Sequence, residues 1–283
     1  MKTDVIFLGA GASLHAGFPD SEGLRDHIVT HLPKLTEAWS EEINKFVVEN
    51  ELGEEWKLLA NQLTAYSSVD TFCMEKGNGE ENVNVVLKMK RAIRLAISSH
   101  ALRRKSTALY DELAKQFFTR PEKGVPSKLK DHVTVVNFNY DGLLGHILTD
   151  YFIKRHGKNH RPEFFASLSG GHYLDRNLLK AATTPKLTDG DFGHHMLHGT
   201  IAVGKGAELN WIDTALYAFD ASMHATHGLK EGWQLKAIYE TQPMIHFPWK
   251  EPDQDSVFAR QYEHCVSSVN GAKRFHFIGL SGD

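Results

Sequence analysis

A short apolar strand that ends in glycines near the N-terminus most constrains the fold of this chain. Val5–Leu8 is apolar and runs directly into Gly9-Ala10-Gly11-Ala12-Ser13. A strand that breaks into glycines and reopens as a helix directs backbone N–H groups and a helix N-terminus toward one point, which suits a diphosphate. The same pattern is also typical of a tight strand-to-helix turn. The motif predicts a turn at the end of a first strand and makes a nucleotide one candidate ligand.

Later segments predict more strands of the same kind. Val133–Val136 is a β-branched run, typical of a strand buried on both faces of a parallel sheet, and it leads into Asn139-Tyr140-Asp141. Met244–Phe247 and Arg274–Ile278 are two further candidate strands, with a predicted helix over Val257–Val269 between them. Each strand ends in polar, proline or glycine residues. The chain is therefore predicted to be α/β, with a Rossmann-like open parallel sheet and ligand loops at the carboxyl ends of its strands.

Helical character dominates from about residue 36 to about residue 120. Apolar residues recur there at spacings of three and four, which gives one apolar face to each helix. They include Leu58, Leu59 and Leu63, and later Val86, Met89, Ile93 and Ile97. We expect one domain over residues 1–283 with a large helical insertion at about 36–120.

Composition narrows the classes of partner. The 283 residues carry a formal charge of −3 and are 41% hydrophobic, so neither nucleic acid nor an anionic membrane is expected as a partner. The first apolar run is too short for a signal-peptide core, and no stretch approaches membrane-spanning length, so a cytoplasmic location is expected. The two cysteines, Cys73 and Cys265, suggest neither a disulfide framework nor a four-cysteine zinc site.

The glycine turn does not fit the two commonest nucleotide motifs. A dinucleotide fingerprint would have a third glycine where Leu14 stands, and an acidic residue closing a second strand about twenty residues later. No Gly-Lys-Ser/Thr follows the glycines, so the turn is not a P-loop. A dehydrogenase is therefore disfavoured.

Four segments, taken in order along the chain, resemble the sirtuin superfamily. The segments are Gly9–Ser13 with Gly17-Phe18-Pro19-Asp20, then Asn139-Tyr140-Asp141, then Leu197-His198-Gly199, then Gly279-Leu280-Ser281. The Asn-Tyr-Asp form of the second motif and the segment Phe247-Pro248-Trp249-Lys250 are similar to the bacterial branch of SIR2-like NAD-consuming proteins.

The resemblance implies an NAD site and assigns its residues. By resemblance, Ala10, Gly11 and Ser13 would contact the NAD diphosphate, and Pro19 and Asp20 would contact the nicotinamide ribose. Asn139 and Asp141 would face the nicotinamide end, and Ser281 would lie on the adenosine side. Asn139 and His198 would be the catalytic pair. NAD would be the substrate, and no metal is expected.

Two departures from the deacylating sirtuins narrow the implied activity. Those enzymes carry Phe-Arg after the Pro-Asp, where this chain has Ser21-Glu22, and Arg25 is a candidate replacement for the arginine. They also carry two Cys-x-x-Cys pairs that bind zinc and help frame the acyl-lysine groove, and these pairs are missing here. The resemblance thus implies an NAD glycohydrolase, a hydrolase (NADase) acting as an antiviral defence effector against phage.

Such effectors are normally held inactive by assembly or by a partner, so a homo-oligomer or a defence-system partner is expected. A non-catalytic module that binds NAD or ADP-ribose as a sensor is the alternative from a different class. Lysine deacylation is a third and weaker one.

The chemistry of the reaction suits these residue types. Cleavage of the nicotinamide–ribose bond passes through an oxocarbenium-like state and needs a base near a ribose hydroxyl or the attacking water. An amide such as that of Asn139 can orient a water, and a neutral imidazole such as that of His198 can take a proton. Alternatives stay open: Asn139 and Asp141 are also typical caps for a helix starting near Gly142, and His194, His195 and His198 suggest zinc, though the nearby glycines argue against a metalloprotease helix.

Overall fold

The structure is a computed structural model that describes residues 4–30, 32–33, 45, 48–49, 52–77, 83–101, 107–120, 127–157, 168–169, 192–205, 211–213, 242–247 and 257–280. The chain divides into two compact units. The first unit comprises Met1–Ala16, Lys105–Thr200 and Lys250–Asp283, and the second comprises Gly17–Arg104 and Ile201–Trp249. The expectation of one domain over residues 1–283 stays a prediction.

Strands and helices are numbered here in chain order over the described residues. The strands are β1 (Asp4–Leu8), β2 (Val133–Asn137), β3 (Leu168–Ser169), β4 (Phe192–Met196), β5 (Gly199–Lys205), β6 (Trp211–Asp213), β7 (Gln242–Ile245) and β8 (Arg274–Ile278). The helices are α1 (Ser21–Thr30), α2 (Leu52–Leu63), α3 (Val69–Lys76), α4 (Val83–Ala101), α5 (Ala108–Phe117), α6 (Leu143–His156) and α7 (Val257–Asn270), and Ala10–Ala16 is a 3₁₀ helix. In this described part of the chain, no helix has the combined length and apolarity that a membrane crossing requires.

The first unit contains a five-stranded sheet in the order β3-β4-β2-β1-β8. All four pairings in it are parallel, and β1 lies between β2 and β8. Strands β1 and β2 are short and mostly apolar. Every residue of β2 is buried, as expected for a strand covered on both faces. The prediction of an α/β fold with a parallel sheet is confirmed, and the order of strands and helices is compatible with a Rossmann-like fold.

One face of this sheet packs against α7. Val136 is in register with Phe7, and side chains alternate along a strand, so Val5 and Phe7 share a face with Val136. Val5 and Val136 form a buried cluster with Cys265 of α7. Toward the β8 edge the same face carries Phe277, whose ring stacks on that of Phe7 with centroids 5.1 Å apart.

The second unit contains α1 to α4 and a three-stranded sheet in the order β6-β5-β7. Its helices bury the apolar residues that the sequence spacing selected, except for Leu58 and the partly buried Val86. Leu59 and Leu63 of α2 and Met89 and Ile93 of α4 are buried, whereas Leu58 is 60% exposed. The described helices α2 to α5 fall within the predicted helical region, and whether that region is an insertion stays a prediction.

The sheet assignment of one predicted strand was wrong, and one strand was missed. Met244–Phe247 was predicted as a strand of the parallel sheet, but β7 belongs to the three-stranded sheet of the second unit, because an apolar run favours a buried strand without choosing its neighbour. The helix that follows Gly9 directly is the 3₁₀ helix Ala10–Ala16. Strand β4 was not predicted, because its sequence Phe-Gly-His-His-Met lacks an apolar run.

Candidate functional site

The carboxyl ends of β1, β2 and β8 lie side by side in the first unit. Leu8, the last residue of β1, is in register with Asn137 of β2 and Ile278 of β8. Hydrogen bonds continue the pairing one residue further: the N–H of Phe138 donates to the Leu8 carbonyl and the N–H of Gly9 donates to the Ile278 carbonyl, both at 2.9 Å. The segments that follow the three strands therefore start from one edge of the sheet, which is where open α/β sheets bind ligands.

Glycines allow two of these segments to touch. The N–H of Gly11 donates to the Gly279 carbonyl at 2.9 Å, and a Cβ added to Gly9 would lie 2.4 Å from the same carbonyl oxygen. A Cβ added to Gly279, whose φ is +65°, would lie 1.9 Å from the backbone nitrogen of Ala12. The N–H of Ala12 is also bonded internally, to the Gly9 carbonyl at 3.0 Å. The donors of Gly11 and Ala12 are thus satisfied within the chain, and the diphosphate role of Ala10 and Gly11 stays a prediction.

Four side chains form a buried polar cluster at this edge: Ser13, Tyr110, Asn139 and Asp141. Ser13 and Asp141 come from the first two predicted motifs, and the Ser13 hydroxyl donates to Asp141 Oδ2 at 2.5 Å. The Ser13 oxygen also lies 2.7 Å from the Tyr110 hydroxyl. The Nδ2 group of Asn139 donates to Ser13 Oγ at 3.2 Å and to Tyr110 Oη at 3.4 Å. All four residues are at most 4% exposed.

Two polar atoms at the end of β2 have no hydrogen-bond partner among the described residues. One is the acceptor Oδ1 of Asn139 and the other is the donor Nδ2 of Asn137. The remaining oxygen of Asn137 accepts the backbone N–H of Asn139 at 2.9 Å, which fixes the chain between them. Buried polar groups in proteins are nearly always hydrogen-bonded, and an unmade bond costs about 1–3 kcal/mol. An unpaired acceptor and an unpaired donor two residues apart are therefore candidates for contact with a ligand.

Burial controls the charges in the buried polar cluster. It raises the pKa of Asp141 above its ordinary value, while hydrogen bonds from Ser13 and from the backbone of Leu143 oppose that rise. Burial and the neighbouring charge of Asp141 raise the pKa of Tyr110, so this side chain stays a neutral hydroxyl. Asp141 Oδ1 accepts the N–H of Leu143, the first residue of α6, at 2.8 Å, as the capping alternative predicted.

His198 lies beside the segment that carries Asn139. It stands in the two-residue turn between β4 and β5, and that turn is tied to β2 by the N–H of Leu197, which donates to the Asn137 carbonyl at 3.1 Å. The imidazole is half-buried against two rings, with its centroid 5.3 Å from that of Phe138 and 6.0 Å from that of Tyr140. His198 thus contacts the two residues that flank Asn139 and lies outside the buried polar cluster.

The other two histidines of this region do not form a metal site with it. His194 and His195 are consecutive residues of β4, so their side chains point to opposite faces of the sheet. Burial lowers the pKa of His194 to about 4. Across the described residues, no three His, Cys, Asp or Glu side chains are grouped as metal ligands.

The remaining predicted site residues belong to the second unit or lie outside the described residues. Pro19 and Asp20 belong to the second unit, where Asp20 Oδ1 accepts the N–H of Gly23 at 2.8 Å and caps α1. Arg25, the candidate replacement for the sirtuin arginine, donates to the Tyr66 carbonyl at 3.0 Å and thereby holds the segment after α2. Ser281 lies outside the described residues.

Sequence reasoning missed Tyr110. With Ala114 and Phe117 it forms the buried stripe of α5, so its spacing marks it as an ordinary core residue. Its hydrogen-bond partners Ser13 and Asn139 are 97 and 29 residues away along the chain. No local signal could therefore have found it.

No protein-family model matches the chain, and no curated protein matches it.

Proposed function

We propose that this chain is a SIR2-like NAD glycohydrolase that cleaves the nicotinamide–ribose bond with water and gives nicotinamide and ADP-ribose. The observation that supports it most is the buried polar cluster. Ser13, Asn139 and Asp141 were assigned to one site by resemblance from motifs more than 120 residues apart in sequence, and they are joined by hydrogen bonds of 2.5 and 3.2 Å.

The unpaired atoms of β2 fit the nicotinamide end of NAD. A carboxamide has one acceptor oxygen and one donor NH₂ group. Asn139 Oδ1 offers an acceptor and Asn137 Nδ2 offers a donor, both buried and both at the end of the same strand. Together these two atoms have the polar chemistry that a carboxamide or a ribose hydroxyl would pair with.

The roles of the residues follow from the bond changes in hydrolysis. A bond forms between the water oxygen and the anomeric carbon of the ribose, the bond from that carbon to nicotinamide breaks, and its electron pair leaves with nicotinamide. Asn139 Oδ1 orients the attacking water or a ribose hydroxyl by accepting its proton in a hydrogen bond. His198 takes the proton that the water loses. Asp141 orients Ser13, and the apolar sheet around them excludes bulk water.

The wider assignments rest on the resemblance and belong to the same proposal. They are a sirtuin-like NAD-binding domain with a helical insertion at about residues 36–120, and diphosphate and ribose contacts by Ala10, Gly11, Pro19 and Asp20, with Ser281 on the adenosine side. They also include a cytoplasmic location and a role as an antiphage effector held inactive by a homo-oligomer or a defence-system partner. NAD is the substrate, no metal takes part, and neither nucleic acid nor membrane is a partner.

One observation favours a second candidate, a non-catalytic module that binds NAD or ADP-ribose. Both carboxylate oxygens of Asp141 are already paired, with the Ser13 hydroxyl and the Leu143 N–H. A carboxylate used in this way holds a loop and a helix start together, which is a structural role. On this alternative the cluster would shape a binding site and do no chemistry.

The test is release of nicotinamide from NAD, followed by chromatography, together with calorimetric binding of ADP-ribose. The hydrolase is expected to give nicotinamide and ADP-ribose in equal amounts. Asn139→Ala and His198→Ala are each expected to lower the rate by about 100-fold or more, the usual contribution of a positioned base or orienting group. The exposed His132 serves as the control, and His132→Ala should leave the rate unchanged.

The outcomes separate the candidates. Binding of ADP-ribose with no turnover by the assembled protein would favour the sensor module. Nicotinamide release that requires an added acyl-lysine peptide would favour a deacylase. Wild-type rates in both Asn139→Ala and His198→Ala would show that the proposed mechanism is wrong.

A further inference from the structure

We infer that Tyr110 is a positioning residue that sets which side of the Asn139 amide faces the reacting groups. This inference rests on the proposed function of the site. The side-chain amide of an asparagine has a donor end and an acceptor end of nearly the same shape, and a rotation of 180° exchanges them. The two orientations would present opposite hydrogen-bonding groups to a water.

The protons of the buried polar cluster select one orientation. Ser13 has a single hydroxyl proton, which it donates to Asp141, so its oxygen can only accept from the other neighbours. The bond of 2.7 Å between Ser13 and Tyr110 must then be donated by the Tyr110 hydroxyl. Both oxygens next to Asn139 are therefore acceptors, at 3.2 Å and 3.4 Å from its Nδ2. A flipped amide would place Oδ1 against two oxygens that have no proton to offer.

Tyr110 is needed because Ser13 alone does not fix this direction. A serine hydroxyl rotates freely and could donate to a flipped Asn139 instead of to Asp141. Donation from Tyr110 occupies a lone pair of Ser13 and directs its proton toward the carboxylate. The tyrosine itself is held firmly: it is fully buried on α5, and its ring stacks on that of His15 with centroids 5.9 Å apart. Because its pKa is raised, it keeps the proton that it donates.

The orientation has a consequence for the reaction. With Nδ2 engaged, Oδ1 is the atom left to contact a substrate, and it is buried without a partner among the described residues. An acceptor there pulls on a proton of the attacking water and keeps the water's lone pair directed at the carbon. A flipped amide would donate to the water oxygen and occupy that lone pair. Loss of the Tyr110 hydroxyl should therefore slow the chemical step and leave binding almost unchanged.

The experiment is a double-mutant cycle with Tyr110→Phe and Asn139→Ala, measured as nicotinamide release from NAD with enzyme in excess where turnover is slow. Tyr110→Phe is expected to lower kcat about tenfold with KM changed by less than about twofold, because the loss of one neutral hydrogen bond is an effect of about this size and the orientation of Asn139 matters in the chemical step rather than in binding. In the Asn139→Ala background the same change should have no further effect, since Tyr110 acts through Asn139. Tyr151→Phe is the matched control: this tyrosine of α6 packs against Phe118 and Arg155, and its variant should keep the wild-type kcat.

A second readout does not depend on turnover. The Asn139 side-chain NH₂ signals, assigned by their loss in Asn139→Ala, should shift and exchange faster with solvent in Tyr110→Phe but not in Tyr151→Phe. Unchanged signals, or a kcat loss that multiplies in the Asn139→Ala background, would overturn the positioning role while leaving the hydrolase intact. A wild-type protein that releases no nicotinamide, with the signals shifting as expected, would instead overturn the proposed function and with it the catalytic use of this orientation.

Discussion

Replacing Ser13 by alanine tests the buried polar cluster most directly, because Ser13 is its centre. The hydroxyl makes three hydrogen bonds, to Asp141 at 2.5 Å, to Tyr110 at 2.7 Å and to Asn139 at 3.2 Å. A hydrogen bond to a charged group contributes about 1.5–3 kcal/mol, and the Tyr110 hydroxyl, left buried without an acceptor for its proton, adds further cost. We expect Ser13→Ala to lower the free energy of unfolding by about 3 kcal/mol at pH 7.

The loss should depend on pH with a definite sign. Burial raises the pKa of Asp141 in the folded state, and the Ser13 hydroxyl opposes this rise, so the variant should have a still higher folded pKa. A carboxyl whose folded pKa exceeds its unfolded value of about 3.8 destabilises the fold increasingly as pH rises through that interval. The difference between wild type and variant should therefore be largest at neutral pH and smaller near pH 4, where Asp141 is protonated in more of the molecules.

The assay is urea unfolding followed by circular dichroism at several values between pH 4 and pH 7. Ser127→Ala is the matched control, since Ser127 is a buried serine of the same unit whose hydroxyl accepts one bond of 3.4 Å from Arg155. It should cost less, with no trend in pH. A Ser13→Ala loss below that of Ser127→Ala, or a loss that grows as pH falls, would refute the hydrogen-bond assignment.

Other predictions concern strand β4 and the glycine contacts. Burial lowers the pKa of His194 from its ordinary 6.5 to about 4 in the folded state. Between these two values the unfolded chain takes up a proton that the folded chain does not. The free energy of unfolding should therefore be highest above pH 6.5 and fall by about 3 kcal/mol as the pH drops to 4. His194→Gln should remove that part of the slope in urea unfolding, and an unchanged slope would contradict it. Gly279→Ala should unfold at a clearly lower temperature than Gly157→Ala, because both glycines have positive φ but only at Gly279 would the Cβ meet backbone, 1.9 Å from Ala12 N. Equal melting temperatures for the two variants would show that the contact is not tight.

The parts of the fold that could be predicted are those in which local composition and burial agree. Val133–Val136 is β-branched throughout and lies in a strand buried along its whole length, so one local signal was enough. Strand β4 is equally buried, but its glycine and histidines carry no such signal. Gly193 is needed there because a Cβ would lie 2.6 Å from Thr134 Oγ1 on the neighbouring strand. That requirement depends on a residue 59 positions earlier, which a local pattern cannot express.

The candidate site divides in the same way. Ser13, Asn139 and Asp141 could be selected because each stands in a motif directly after a strand, where parallel strands bring ligand groups together. Tyr110 could not, because its position on α5 gives it the spacing of a core residue and only its hydroxyl distinguishes it. Residues that support a site from a helix above the sheet have no constraint on sequence position beyond burial. The same limit applies to the choice of sheet for β7.

Packing between two loops is enough to explain the glycines of the first turn. Gly9 and Gly11 are required by the approach of Gly279, with added Cβ atoms 2.4 and 2.9 Å from its carbonyl oxygen, so their presence is explained by packing between two loops with or without a phosphate. Ser13 has no such packing reason, since its hydroxyl is buried and bonded to Asp141 and Tyr110. The first motif is thus linked to the second by one side chain, Ser13, and not by open backbone donors at Gly11. The case for an NAD site here therefore depends on Asn139 and Asn137, which supply an acceptor and a donor that are buried without partners in the described part of the chain.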